Sequence, residues 1–428
     1  MKKILMIVSL MLSIIMVPSI FADDYTNVKK VGDVNGDGSI DIADVVYLFK
    51  HRNIPLEDGD LNCDNSIDIA DVVYLFKNYL KFRKPVVFAK TFSLDPEWDK
   101  GYCVITDSKG YKFVLLENGA TNPNIPDAKV INVPVSSIAT IFYCPIVSTA
   151  DILNDSVCYD SIKGVPSYVL DYSPEMAKRY NEGKVVDIGT SSSIDYDKVV
   201  SINPQIVFLG DWSAHDTMEE KLKELGITVS RFYTYDEPLF IGKVEWCKYA
   251  AAFWGKDEYE KAEGYFQTVW KKEDDLIRIT RNAKSHPIVV DFWKWSDTST
   301  PSVPEGQNYR SKLIEEFNGC YAFLDLIGTG TEKPDLETFM ERAINADVVI
   351  LRQTHDIKTK KDLLKYYPTS GFENFKAYKN NRFYVSKPDY YIGESKDPIG
   401  YMEDYAKMIH PELFPDGDSN LKYFVKVE

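Results

Sequence analysis

Hydrophobic positions change their rhythm along this chain, and the changes divide it. Lys2 and Lys3 precede fourteen largely apolar residues (4–17), then Pro18 and a small-residue cleavage site after Ala22. This predicts a secretory signal peptide over 1–22, too short to read as a membrane anchor. Two short helical faces follow, Val45, Val46, Leu48 and Phe49, then Val72, Val73, Leu75 and Phe76. From residue 87 the pattern alternates instead: GYCVITDSKGYKFVLL (101–116) predicts a β-hairpin about a Ser-Lys-Gly turn, in an extension over 87–126. Thereafter apolar runs alternate with helical stretches. SSIATIFY precedes PIVSTADIL, PQIVFLGD precedes TMEEKLKELG, and HPIVVDFW and ADVVIL lead into further helices. Such alternation predicts parallel α/β sheets, here as an amino-terminal lobe (127–255) and a carboxyl-terminal lobe (285–428). Between them, Tyr259, Ala262, Phe266, Val269, Trp270 and Ile277 keep helical spacing within 256–284. That segment predicts one linking helix of roughly 40 Å at 1.5 Å per residue.

The first polar pattern with chemical content is a repeat. DVNGDGSIDIADVVYLFK (33–50) returns as DLNCDNSIDIADVVYLFK (60–77). Oxygen side chains fall at positions 1, 3, 5, 9 and 12 of each twelve-residue loop: Asp33, Asn35, Asp37, Asp41 and Asp44, then Asp60, Asn62, Asp64, Asp68 and Asp71. Ser39 and Ser66 would add backbone carbonyls at position 7. A hard cation with six or more oxygen ligands needs this spacing, so each loop is expected to bind one Ca2+. Gly38 supplies the sharp turn in the first loop, and Asn65, tolerant of the left-handed region, in the second. No entering helix precedes either loop. Carboxylates crowded in two loops repel without metal, so calcium should drive folding of the module.

This tandem of loop and exit helix, with Asp at position 12, resembles a dockerin over residues 31–84. The resemblance implies a small all-α module with two EF-hand-like calcium loops, whose partner is a cohesin domain of a scaffold protein. It also implies cohesin-contacting positions Ile42, Ala43 and Lys50, and Ile69, Ala70 and Lys77. Ile-Ala departs from the Ser-Thr pair of the best-known dockerins, which bears on the cohesin type. Near-identity of the repeats implies two docking orientations related by about a half turn.

Composition narrows the partners. Fifty basic against 65 acidic residues give a formal charge of −15 over 428 residues, which disfavours nucleic acid and acidic lipid. Six scattered cysteines without Cys-x-x-Cys spacing disfavour structural zinc and iron–sulfur sites and are expected to be buried thiols. No cysteine follows the apolar leader, so a lipid-modified cysteine is not available there and cohesin docking is expected to hold the secreted protein at the cell surface. Gly-x-Gly-x-x-Gly, Gly-x-x-x-x-Gly-Lys, Gly-x-Ser-x-Gly and His-Glu-x-x-His are absent, which removes the common nucleotide and hydrolase signatures.

VVDIGTSSSIDYDKVVSINPQIVFLG (185–210), DLETFMERAINADVVIL (335–351), KNNRFYVSKPDYY and DPIGYMEDYAKMIHPELF are similar to segments of class III substrate-binding proteins of ABC importers. The resemblance covers about residues 87–428. It implies a non-enzymatic, two-lobe domain that captures an iron–siderophore chelate, haem or a corrinoid, with Asp197 and Glu337 as the carboxylates that dock an ABC permease. Ligands of such folds lie at the carboxyl ends of the strands, which selects Tyr143, Trp212, His215, Trp293, Trp295, Arg352 and His355. His215 and His355 follow corresponding strands and are candidates to face each other across the cleft as metal ligands. The plainer expectation is that Asp216 and Asp356 cap the next helices, Asp216 in a capping box with Glu219. The alternative function is a cellulosome-associated protein that acts on or binds polysaccharide, for which no carboxylate pair is marked.

Overall fold

The computed structural model describes residues 34–36, 42–51, 53–55, 59–61, 66–75 and 85–428. The predicted leader (1–22), the loop positions Asp33, Asp37, Ser39, Asp41, Asn62 and Asp64, and Lys77 lie outside the described residues, as does the side chain of Ile42. In the amino-terminal module the helices Ile42–Lys50 and Ile69–Tyr74 pack together and bury Leu48 and Leu75 completely. Phe49 and Val73, read above as part of the apolar faces, remain exposed, because helices this short bury only one stripe. Arg278 of the linking helix donates to the Asp60 carbonyl at 2.7 Å and so ties the module to the larger domain.

The chain enters that domain as an extended segment with no neighbouring strand. Its N–H groups are satisfied by two buried carboxylates instead: Glu245 accepts from Val87, Phe88 and Ala89 at 2.7–2.8 Å, and Glu237 from Lys90 at 2.6 Å. Strands β1 (Ser93–Glu97), β2 (Tyr102–Thr106), β3 (Lys112–Glu117) and β4 (Ala128–Val133) form one sheet in that order, antiparallel except for the parallel β3–β4 pair. The Ser-Lys-Gly turn joins β2 to β3, with Gly110 at φ +84° where a side chain would be strained. Asp107 beside it accepts from Lys109 and Tyr111, and from Arg231 N–H at 2.7 Å, fastening the hairpin to the amino-terminal lobe.

That lobe contains β5 (Ile138–Thr140), β6 (Ile162–Val165), β7 (Val186–Asp187), a small hairpin of β8 (Gly189–Thr190) and β9 (Ser193–Ile194), then β10 (Ile206–Gly210) and β11 (Val229–Phe232). Its sheet runs β11-β10-β5-β6-β7, all parallel. The carboxyl-terminal lobe contains β12 (Ile288–Trp293), β13 (Val303–Pro304), β14 (Cys320–Tyr321), β15 (Thr331–Glu332), β16 (Val348–Arg352), β17 (Phe383–Ser386) and β18 (Phe424–Lys426). Its sheet runs β14-β12-β16-β17-β18, parallel apart from β18. Central strands β10 (IVFLG) and β16 (VVILR) are buried at every position, as parallel strands covered on both faces must be. The linking helix runs Lys256–Arg281 and ends where Asn282 caps it, slightly short of the expected bound.

The helix Phe240–Ala252, buried at all thirteen positions, packs on the linking helix and on Tyr309–Glu316 of the opposite lobe. It carries Lys243, Glu245 and Lys248 in an otherwise apolar environment, so each of these charges must find its counter-charge inside the protein.

Candidate functional site

The carboxyl ends of both parallel sheets converge on the seam between the lobes. From the amino-terminal side come Trp212, after β10, and Tyr235, after β11; from the other side come Trp293 and Trp295 at the end of β12, Arg352 ending β16, and Tyr390 and Tyr391 after β17. The lobes touch through hydrogen bonds between the Tyr235 and Tyr391 hydroxyls and from Thr329 to Asp236. The Tyr172 ring adds a contact with Tyr391 at 5.6 Å.

Aromatic walls stand on each side. Trp212 is half-buried, with Phe142 at 5.0 Å and Tyr235 at 5.7 Å between ring centroids. Trp293 packs edge-on against Trp295 at 4.5 Å and lies 5.9 Å from Tyr390, while Trp295 itself is 66% exposed. The Trp293 indole N–H has no acceptor among the described residues.

Beneath these rings lies a buried set of charges. Arg352 pairs with Asp291 of β12 at 2.6 Å, and Asp291 also accepts from the Tyr405 hydroxyl at 2.7 Å. Arg310 pairs with Glu394 at 2.7 Å, and Glu394 also meets Lys243 of the amino-terminal lobe at 2.8 Å. Burial alone would push the Glu394 carboxyl up, but Arg310 and Lys243 hold it down at about 2. Three cations therefore face two carboxylates. Among the described residues, Arg310 keeps an Nε–H and Arg352 an Nη2 without acceptors, although both residues are more than nine-tenths buried. Leaving such a donor unmet costs about 1–3 kcal/mol, which an anionic ligand oxygen recovers.

Several sequence expectations need correction here. Tyr143 is completely buried and donates to Asp151 at 2.9 Å, so it braces the lobe rather than facing a ligand. His215 is held with Nδ1 at 2.9 Å from the Gly210 carbonyl and Nε2 at 3.0 Å from that of Ser191, so both ring nitrogens are engaged by backbone carbonyls of its own lobe. His355 stacks on Tyr366 of its own lobe at 4.3 Å, so the two histidines do not make a shared metal site. The capping account fails as well. Asp216 is the first helical residue and makes no cap; it pairs with Arg231 at 3.1 Å and Lys109 at 3.3 Å, while Glu219 pairs with Arg231 and Lys223. Asp356 pairs with Lys358, and Thr359 caps the following helix with Asp362. Of the selected residues, Trp293 and Trp295 touch each other, Trp212 lies against Tyr235, and Arg352 is buried beside Asp291 of its own lobe. Lys243, Arg310, Tyr390 and Glu394 were missed by the sequence reading.

In the repeat module, Asp44 and Asp71 at loop position 12 are fully buried and turn back onto their own loops. Asp44 accepts from Val34 N–H at 2.8 Å and Asn35 N–H at 3.1 Å, and Asp71 from Leu61 N–H at 2.7 Å. Asp68 caps the second helix, with Asp71 completing a capping box. Among the described residues no three acidic, histidine or cysteine side chains come together to hold a metal, and the remaining loop oxygens expected for Ca2+ lie outside them. Ser66 and the positions expected from the resemblance to meet a cohesin, Ala43, Lys50, Ile69 and Ala70, are exposed. Asp197 and Glu337 are exposed too and occupy equivalent places, each two residues after an aspartate N-cap, Asp195 and Asp335.

No family model matches the sequence. An uncharacterized lipoprotein of Methanocaldococcus jannaschii is 53% identical over 346 residues, 80% of this chain and 87% of that protein. Another uncharacterized lipoprotein of the same organism is 34% identical over 339 residues, 76% of this chain and 79% of that protein. Among solved structures, Helicobacter pylori CeuE in a complex with nickel and histidine aligns with a TM-score of 0.53 at 15% identity, covering 74% of this chain and 92% of that one. A periplasmic heme-binding protein from Pseudomonas aeruginosa aligns with a TM-score of 0.52 at 12% identity, covering 68% and 98%. These structures share the two-lobe fold of periplasmic solute-binding proteins, and the sequence identities place the chain itself: it belongs to the family of these Methanocaldococcus jannaschii lipoproteins.

Proposed function

We propose that the two-lobe domain captures an iron chelate, haem or a corrinoid at the seam and delivers it to an ABC permease, without catalysis. The observation that carries this reading is the pair of buried guanidinium groups, Arg310 and Arg352, each with a donor unmet among the described residues. Guanidinium donors and ring faces together recognise a flat or multidentate anion, one by charge-assisted hydrogen bonds and the other by stacking. Chelates carrying carboxylate or other anionic oxygens are thereby favoured. The matched, exposed positions of Asp197 and Glu337 support a permease that meets both lobes at once.

In the same proposal the repeat module binds two Ca2+ through its oxygen loops and docks on a cohesin domain. Cohesin docking would hold the protein on a scaffold at the cell surface. A polysaccharide-linked role has one feature in its favour, the exposed ring of Trp295, which could stack on a sugar.

The test is a binding titration of the full chain and two variants with ferric citrate, haem and cello-oligosaccharides. Arg352→Gln should weaken binding of the anionic chelate roughly tenfold or more, as expected for a charge-assisted bond of about 1.5–3 kcal/mol. Trp295→Ala, at an exposed position that cannot disturb the core, should weaken it less. Binding of the chelate unchanged in both variants would refute the site.

A further inference from the structure

One carboxylate serves a cation from each lobe. Glu394 receives Lys243 Nζ at 2.8 Å from the amino-terminal lobe and Arg310 Nη2 at 2.7 Å from its own. The Tyr309 hydroxyl closes the ring, accepting from Lys243 at 3.2 Å and donating to Glu394 at 2.9 Å. All four side chains are buried. Beside them a cavity of about 20 Å³, bordered by Cys144, Ser148 and Ser395, leaves room for roughly one water, so the group is nearly dry.

We propose that Glu394 acts as a latch, through which an anion captured at Arg310 and Arg352 tightens the seam between the lobes. This rests on the ligand-binding reading above and adds to it a direction of coupling. Arg310 and Lys243 compete for one carboxylate and repel each other, and in a dry site neither effect is screened away. An anion reaching the unmet Nε–H of Arg310 satisfies part of that guanidinium's field. More of the Glu394 charge is then left for Lys243, and the repulsion between the two cations falls. Burial, with Arg310 acting in the same direction, lowers the pKa of Lys243, so relief of the Arg310 field holds the lysine more firmly charged. Linkage makes the effect mutual: whatever factor the anion adds to the Lys243–Glu394 tie, that tie adds to the anion's affinity.

The experiment uses the full chain with ferric citrate as the probe, read by tryptophan quenching and by hydrogen exchange of segments 240–252 and 390–396. Bound probe should slow exchange in both segments by about fivefold or more, the lower end of ordinary coupling. Lys243→Met, which keeps the length but not the charge, should bind the probe about fivefold more weakly and show no slowing, while Lys243→Arg should restore both. Wild-type protein that binds ferric citrate with exchange unchanged in both segments overturns the latch and leaves the cleft reading standing. Wild-type protein that binds no anionic chelate overturns both.

Discussion

At the scale of single residues, the informative positions are charges where the pattern asks for apolar side chains. Asp291 interrupts the apolar run of β12, and Lys243, Glu245 and Lys248 interrupt a buried helix. A buried charge is tolerated only when paired, but that these positions are buried shows only in the folded chain. The partners themselves were not legible. Glu394 lies 151 residues from Lys243 and Arg310 sits in an unremarkable NYRSKL, so only the folded chain joins them. Glu245 gives a direct check of the cost. It accepts three backbone N–H groups and pairs with Lys248 at 2.7 Å, so Glu245→Ala should destabilise the protein by about 3–5 kcal/mol, seen as a lower midpoint in urea unfolding. The histidines teach the opposite lesson. Their spacing invited a metal, yet Gly210 and Ser191 carbonyls claim His215, and Tyr366 claims His355. Nothing in the local sequence distinguishes a histidine held by backbone carbonyls from one that ligates.

At the scale of elements, regular periodicity was legible and ends were less so. The linking helix, the parallel strands and the two short exit helices of the repeats follow from apolar spacing. The capping of the helix Asp216–Glu224 did not, because Arg231, fully buried and needing carboxylates, outcompetes the helix terminus for Asp216 and Glu219. The linking helix also carries a testable weakness. Burial pushes the Glu273 carboxyl well up, with Glu316 of the opposing helix and Asp274 adding to it; burial likewise raises Glu316, to about 7, against the pull of Lys312. Glu273 Oε1 and Glu316 Oε2 have no hydrogen-bond partner among the described residues. A raised carboxyl binds more protons folded than unfolded, so stability falls as pH rises from the unfolded value through the folded one and stays low above it. The melting temperature should therefore drop between about pH 5 and pH 8, and Glu316→Gln should reduce that drop without abolishing it, since burial also raises Glu273, Asp107 and Asp404. A wild-type melting curve flat over this range would contradict the pairing. If the repeat module binds calcium and docks on a cohesin as proposed, calcium should raise the melting temperature, because ligand binding to the folded state alone adds stability, and EDTA should release the protein from an added cohesin domain. Asp44→Ala with Asp71→Ala should abolish both responses.

At the scale of the whole molecule, a two-lobe body of solute-binding type is joined to a small repeat module, which Arg278 ties to the linking helix. The lobes were legible from alternation of strand and helix; the composition of the seam was not, because it is assembled from the ends of strands in both halves. On the proposed function, this seam receives an anionic metal chelate. The direct measurement is a tryptophan-quenching titration of the full chain with ferric siderophores, haem and cobalamin, beside oligosaccharides as controls. Trp212, Trp293 and Trp295 stand at the site, so the account predicts saturable quenching by an anionic iron chelate at micromolar or lower concentration and none by the sugars. A saturable response to an oligosaccharide, with none to any chelate, would contradict it.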